Sequence, residues 1–274
     1  MSELKSLVRS HWNREVCGTR YGRDSVEEEI DLERIAETRY RMQPFILDLA
    51  DFPSGRGKKV LEIGVGGGSD FLQWLKNGAE LTGVDLTEAG IELTRKRLQG
   101  AGFSPGDYEL RIDDAENLAF PDNTFDIVYS YGVLHHTPDT PKAFSEAYRV
   151  LKPQGELRAM VYHVPSITGF MMWVRYCLLV GRPMHTAREA IFQRMESPGT
   201  KAYTIPEIKK LLEECGYGQI EAHGQLAPSD LLTVRRSEIY SNPIYAFIWK
   251  LYPRWIVKWL GNDWGFFILI RATK

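Results

Sequence analysis

Between residues 58 and 162 short apolar runs alternate with apolar residues at helical spacing, and this alternation restricts the fold more than any other feature of the chain. Residues 59–64 (KVLEIG) read as a strand; Phe71, Leu72, Trp74 and Leu75 then recur on one helical face, with Gly78 placed to end that helix in a left-handed cap. Residues 80–84 form a second strand, followed by a helix from about Thr87 that carries Ile91, Leu93 and Leu98 inward and stops at Gly100. Residues 108–112, 125–130 and 156–162 read as strands three to five, with a helix over 140–151. Strands separated by helices predict a mostly parallel sheet covered on both faces. Beyond an irregular stretch, Thr204-Ile205-Pro206-Glu207 supplies a capping box for a helix running to Glu214. Residues 219–223 make a sixth strand, and 265–272 (GFFILIRA), apolar almost throughout, a seventh that is buried on both sides.

At 274 residues the chain is long enough for a full core, and it is read as one domain with insertions. Residues 1–57 supply an N-terminal lid and helix, 58–162 the ligand-binding core, and 163–203 and 226–263 two caps over a substrate. Lysines and arginines (34) nearly balance aspartates and glutamates (36), so no global field favours nucleic acid. Cys17, Cys177 and Cys215 are odd in number and far apart, which argues against a disulfide framework or a spaced metal site and fits a reducing cytoplasm. No apolar stretch reaches the roughly 18 residues of a membrane span.

The chemistry is concentrated at the strand ends. Glu62-Ile63-Gly64-Val65-Gly66-Gly67-Gly68-Ser69 lies where the first strand turns into the first helix, so glycines let a ligand approach the backbone beside unpaired helix N–H groups. A dinucleotide fingerprint counted from Gly64 would place its last glycine where Ser69 stands. The acid at 62 would repel a pyrophosphate, yet it suits a ligand that carries an ammonium and a sulfonium. Asp85 ends strand two, in position to accept both hydroxyls of a ribose. Asp114 and Ala115 follow strand three, where a carboxylate can take the exocyclic amine of adenine and the next N–H can meet a ring nitrogen. All three lie on the rim where open α/β sheets bind ligands.

As an ordered set these motifs resemble the class I S-adenosylmethionine-dependent methyltransferases, the small-molecule type that shares its core with the ubiquinone-biosynthesis enzymes. VLEIGVGGGSD is similar to that family's first motif and LTGVDLT to its ribose motif, while DDAENLAFPDNTFDIVYSYGVLHH and RVLKPQGEL resemble its later ones. The likeness is close over 58–162 and looser over 204–222 and 264–272. It implies a Rossmann-like seven-stranded α/β fold, S-adenosylmethionine as cofactor and S-adenosylhomocysteine as product. It also implies that Gly64, Val65, Gly66 and Gly68, with Glu62 behind them, hold the methionine moiety. Asp85 would hold the ribose, Leu86 pack on the adenine, Asp114 and Ala115 frame it, Ser130 offer its carbonyl to the amino group, and Tyr40 reach the carboxylate. The chain departs from the pattern at Asp113, where glycine is common, and at Gln154, where the usual turn is Pro-Gly-Gly.

On the acceptor side, His135, His136 and His163 follow strands four and five, and each is a candidate for orienting an acceptor or taking its proton; packing is the competing role. Trp12 and residues 17–22 could close over the cofactor or simply pack on the surface. The aromatic run 245–259, with Lys250, Arg254 and Lys258 four residues apart, could lie on a lipid surface, but its entry into a buried strand favours packing. The expected reaction is O-methylation of a small metabolite or glycan-related intermediate. S-, N- or C-methylation of a small or lipid-like acceptor and a non-catalytic sensor of S-adenosylmethionine remain alternatives, and a nicotinamide-dependent dehydrogenase is disfavoured by the glycine spacing.

Overall fold

A computed structural model describes residues 3–23, 28–234 and 249–274. Seven strands form one sheet: β1 Lys59–Ile63, β2 Glu80–Asp85, β3 Tyr108–Ile112, β4 Phe125–Tyr131, β5 Leu151–Tyr162, β6 Gly218–Gln225 and β7 Phe267–Thr273. Their order across the sheet is β3-β2-β1-β4-β5-β7-β6. The first five pair in parallel, whereas β7 runs antiparallel to both β5 and β6. The apolar run of β7 is therefore explained by burial between two neighbours.

Alternation along β1 and β4 divides the core into two layers. Leu61, Ile63 and Val128 face a layer built with Phe144, Leu157, Ile208 and Leu212. Val60, Ile127 and Tyr129 face the other, with Phe71, Trp74, Leu81 and Leu98. The helices behind these layers are α4 Ser69–Lys76, α5 Glu88–Gly100, α6 Thr140–Val150 and α9 Ile205–Glu214. Their starts follow local chemistry: the Thr87 hydroxyl accepts from the Gly90 N–H, Asp139 from Lys142, and the Thr204/Glu207 capping box is complete in both directions. At the turn inside β5, where a glycine is usual, Gln154 itself adopts φ 65°.

Ahead of the sheet lie α1 Glu3–Arg14, α2 Leu32–Met42 and α3 Phe45–Ala50. After β5 the segment expected as a cap forms α7 Ile167–Trp173, a π-helical turn Val174–Leu178, and α8 Ala187–Arg194. It docks through Ile191 and Ala202 against Met160, Tyr162, Phe266 and Phe267. A short helix, Arg254–Leu260, precedes β7. No described helix is long and apolar enough to cross a membrane.

Candidate active site

A cavity of about 450 Å³ opens over the C-terminal ends of β1, β2 and β4. Its floor is the glycine turn between β1 and α4. Gly64 adopts φ 83°, and a Cβ there would stand 2.2 Å from the Val133 side chain; Gly66 adopts φ 51° with open space where a Cβ would be. Glycine is thus required at the first position by strain and contact, and at the second by strain alone. Threonine 94 ties the turn down by donating from Oγ1 to the Gly66 carbonyl at 2.9 Å, and Arg97 donates to the Gly67 carbonyl at 2.6 Å.

Glu62, at the end of β1, is 4% exposed, and its Oε2 has no hydrogen-bond partner. Burial, reinforced by Asp70 nearby, pushes its carboxyl well above the usual range. A buried acid without a partner that lines a cavity fits a cationic group of a ligand. Asp70 has the opposite environment. Burial works against its charge, but two bonds from Arg39 at 3.0 and 2.5 Å, with Tyr129 at 2.7 Å and Tyr40 at 2.8 Å, hold it below the usual range.

Asp85 is preset by its surroundings: Gly66 N–H donates to Oδ2 at 3.0 Å, while the N–H and hydroxyl of Thr87 donate to Oδ1 at 2.9 and 2.6 Å. Asp114 accepts from the Glu116 N–H at 3.0 Å and pairs with Lys5 of α1 at 2.6 Å. Lys5 also pairs with Glu116 at 2.5 Å, so α1 is clamped over the end of β3. Asp113, the departure from the family pattern, accepts from Asp114 and Ala119 and closes its own turn.

At the far side of the cavity stand His136, Glu196, Tyr162 and Trp12. His136 Nδ1 meets Thr200 Oγ1 at 3.0 Å and Ser197 Oγ at 2.9 Å, its Nε2 lies 3.5 Å from Glu196, and its ring meets the edge of Trp12 at 5.4 Å. The Thr200 hydroxyl also lies within hydrogen-bond reach of the Met195 and Ser197 carbonyls, so the Nδ1 edge of the ring is held among hydroxyls while its Nε2 edge faces a carboxylate. Tyr162 donates to Glu196 at 2.7 Å. Glu196 itself holds φ 46°, a left-handed backbone that a non-glycine residue adopts at a cost of about 1–3 kcal/mol.

The cavity therefore brings together Glu62, Gly64, Val65, Gly66, Asp85, Leu86, Asp114, Ala115 and His136 among the residues singled out from sequence. Gly68, Ser130, Tyr40, His135 and His163 do not border it. Gly67 lines it in place of Gly68, which caps α4. Ser130 is buried in β4 and donates to the Ile63 carbonyl, while Tyr40 donates to Asp70 and to the Ser69 carbonyl. His135 is fully buried beneath Tyr162, and burial holds it well below the usual histidine range. His163 is spent on the Gly265 carbonyl at 2.8 Å. Sequence reading missed Lys5, Arg39, Tyr162 and Glu196; Asp70, next to the glycine run, was within reach of it. Cys17, Arg20 and Tyr21 also border the cavity.

A methyltransferase domain family model matches residues 61–159. The phthiotriol/phenolphthiotriol dimycocerosates methyltransferase of Mycobacterium leprae (strain TN) is 41% identical over 103 residues, 37% of this chain and 36% of that protein. The chain thus spans about a third of the curated relatives it matches. Among solved structures, phosphoethanolamine N-methyltransferase 2 of Haemonchus contortus with S-adenosyl-L-methionine has a TM-score of 0.58 at 22% identity, over 85% of this chain and 52% of that one. The [4+2]-cyclase SpnF reaches 0.55 at 15% identity, over 99% and 92%. These last two likenesses concern the fold.

Proposed function

Because residues 61–159 are a methyltransferase domain of the class I, S-adenosylmethionine-dependent type, we propose that the protein transfers a methyl group to a small or amphipathic acceptor, with a hydroxyl as the favoured nucleophile. One observation carries the reading: a buried carboxyl group without a partner, Glu62, and a histidine set between hydroxyls and a carboxylate, His136, line a single cavity. Glu62 takes the ammonium group, Asp85 the ribose hydroxyls, and Asp114 with Ala115 the adenine, while Leu86 packs on its face. S-adenosylmethionine bound there supplies an electrophilic methyl group on a sulfonium.

The protein's own part is to align the acceptor, exclude water and accept a proton. Trp12 and Tyr162 wall the acceptor end, His136 takes the hydroxyl proton, and Glu196, 3.5 Å from its Nε2, stabilises the imidazolium that results. The phthiotriol and phosphoethanolamine enzymes to which the chain is similar make lipid-like and amine acceptors the next candidates.

The test is calorimetry with S-adenosylmethionine and with NAD, together with mass spectrometry of ligands that copurify. We expect S-adenosylmethionine alone to bind. The Asp85→Ala variant should bind it at least about tenfold more weakly, each hydrogen bond to a charged acceptor being worth about 1.5–3 kcal/mol. Equal affinity in the variant removes Asp85 from the site, and binding of NAD in place of S-adenosylmethionine returns the dehydrogenase reading. Binding without turnover on any acceptor found leaves a sensor.

A further inference from the structure

The helix Arg254–Leu260 turns most of its apolar side chains outward. Val257 is buried at 5%, whereas Trp255 and Trp259 are 74% and 80% exposed, and Ile256 and Leu260 also face outward. A surface helix of a water-facing protein normally turns such residues inward. Leu251 just before it and Trp264 just after it are exposed as well.

The cap after β5 shows the same pattern, with Phe170, Leu179, Val180 and Met184 exposed, the last at 92%. Both segments are fastened to one loop. Asp230 Oδ1 accepts from the N–H and hydroxyl of Thr168 at 2.8 and 2.6 Å, and the Asp230 carbonyl accepts from Tyr252 at 2.7 Å. Pro228, Ser229 and Val234 of that loop border the cavity.

Charge selects the partner. Residues 166–195 and 249–264 carry seven basic side chains against two acidic ones, in a chain of net charge −2. A second copy of this face would bring like charges together, while an anionic surface with an apolar interior matches both properties. We propose that these two segments dock the protein on an anionic lipid bilayer, with Trp255 and Trp259 in the interface and Lys250 and Lys258 beside the headgroups. The helix lies in the plane of the surface, since no described helix is long enough to cross. For substrate the consequence, which rests on the methyl-transfer reading, is that the cavity receives an amphipathic acceptor from the bilayer through the loop 227–234.

Sedimentation of the full chain with vesicles of phosphatidylcholine and phosphatidylserine tests the docking without cofactor or acceptor, so its failure is separate from failure of the methyl-transfer reading. Binding should be present at low salt, weaken as salt rises, and be much reduced with phosphatidylcholine alone. Lys250→Glu with Lys258→Glu should weaken it by roughly fivefold or more for each basic residue lost, and Trp255→Ser with Trp259→Ser should weaken it at unchanged melting temperature and S-adenosylmethionine affinity. No sedimentation with anionic vesicles overturns the proposal, as does binding that neither pair of substitutions changes. A wild-type dimer that does not bind vesicles and that the tryptophan pair disperses also overturns it, and makes the face a self-contact.

Discussion

Histidines 135, 136 and 163 look alike in the sequence and are separated by their surroundings. Only His136 reaches the cavity, with a carboxylate at one nitrogen and hydroxyls at the other. His136→Gln should lower turnover by about 10²–10⁴-fold, the usual share of a general base, with cofactor affinity retained in calorimetry. His163→Gln should act on melting temperature instead. If His136→Gln keeps more than about a tenth of the activity, no base is needed and the acceptor is a thiol, an amine or an acidic hydroxyl. His135 is buried with a depressed pKa, so the fold holds it neutral while the unfolded chain protonates near the ordinary value of about 6.5. Stability from this group is complete above that value and is lost as pH falls below it, by up to about 1.4 kcal/mol per pH unit. Thermal melts from pH 7.5 to 5.5 should show that loss reduced in His135→Asn; identical slopes would contradict the assignment. Glu62, Asp85 and Asp114, which line the cavity, were legible because each lies at or just past the end of a strand. Glu196 was not, because it arrives from a distant segment in a strained turn that no local pattern marks.

Among the elements, α1 depends most on one side chain. Lys5 binds both Asp114 and Glu116, and the helix is further held by Arg9 on Glu88 at 2.9 Å and by Asn13 on the Ala89 N–H. Lys5→Met would deprive Asp114 and Glu116 of their shared cation at the β3 end of the cavity. Hydrogen exchange should then rise across residues 3–14 while that of β1–β4 stays unchanged, and unchanged protection of α1 would show that the clamp is dispensable. Helix periods, caps and the Thr204/Glu207 box were legible in sequence because they are local. The direction of β7 was not, since an apolar run is the same whether its neighbours run with it or against it. The packing expected for 249–259 also fails at Trp255 and Trp259, because entry into a buried strand constrains only the residues next to that strand; residues 245–248 of that run lie outside the described residues.

For the whole molecule, alternation was sufficient to read an α/β sheet with a ligand rim, and the motif order to read its cofactor. The far wall of the cavity was not readable, because it is assembled from α1, the 195–200 turn and the 227–234 loop, which meet only in three dimensions. If the cavity is the cofactor site, S-adenosylmethionine at a hundred times its dissociation constant should stabilise the fold by about 2.7 kcal/mol, measured by denaturant titration. No shift at any ligand concentration would mean that the folded protein does not bind the cofactor. The position of β7 has a consequence for biosynthesis. The strand that fills the gap between β5 and β6 leaves the ribosome after all the others in this sheet, so β5 waits as an unpaired edge while the segment from 163 to 266 is made. A nascent chain stalled before Phe267 should therefore be cut readily by protease in its sheet and captured by chaperones, and it should become resistant once β7 has emerged.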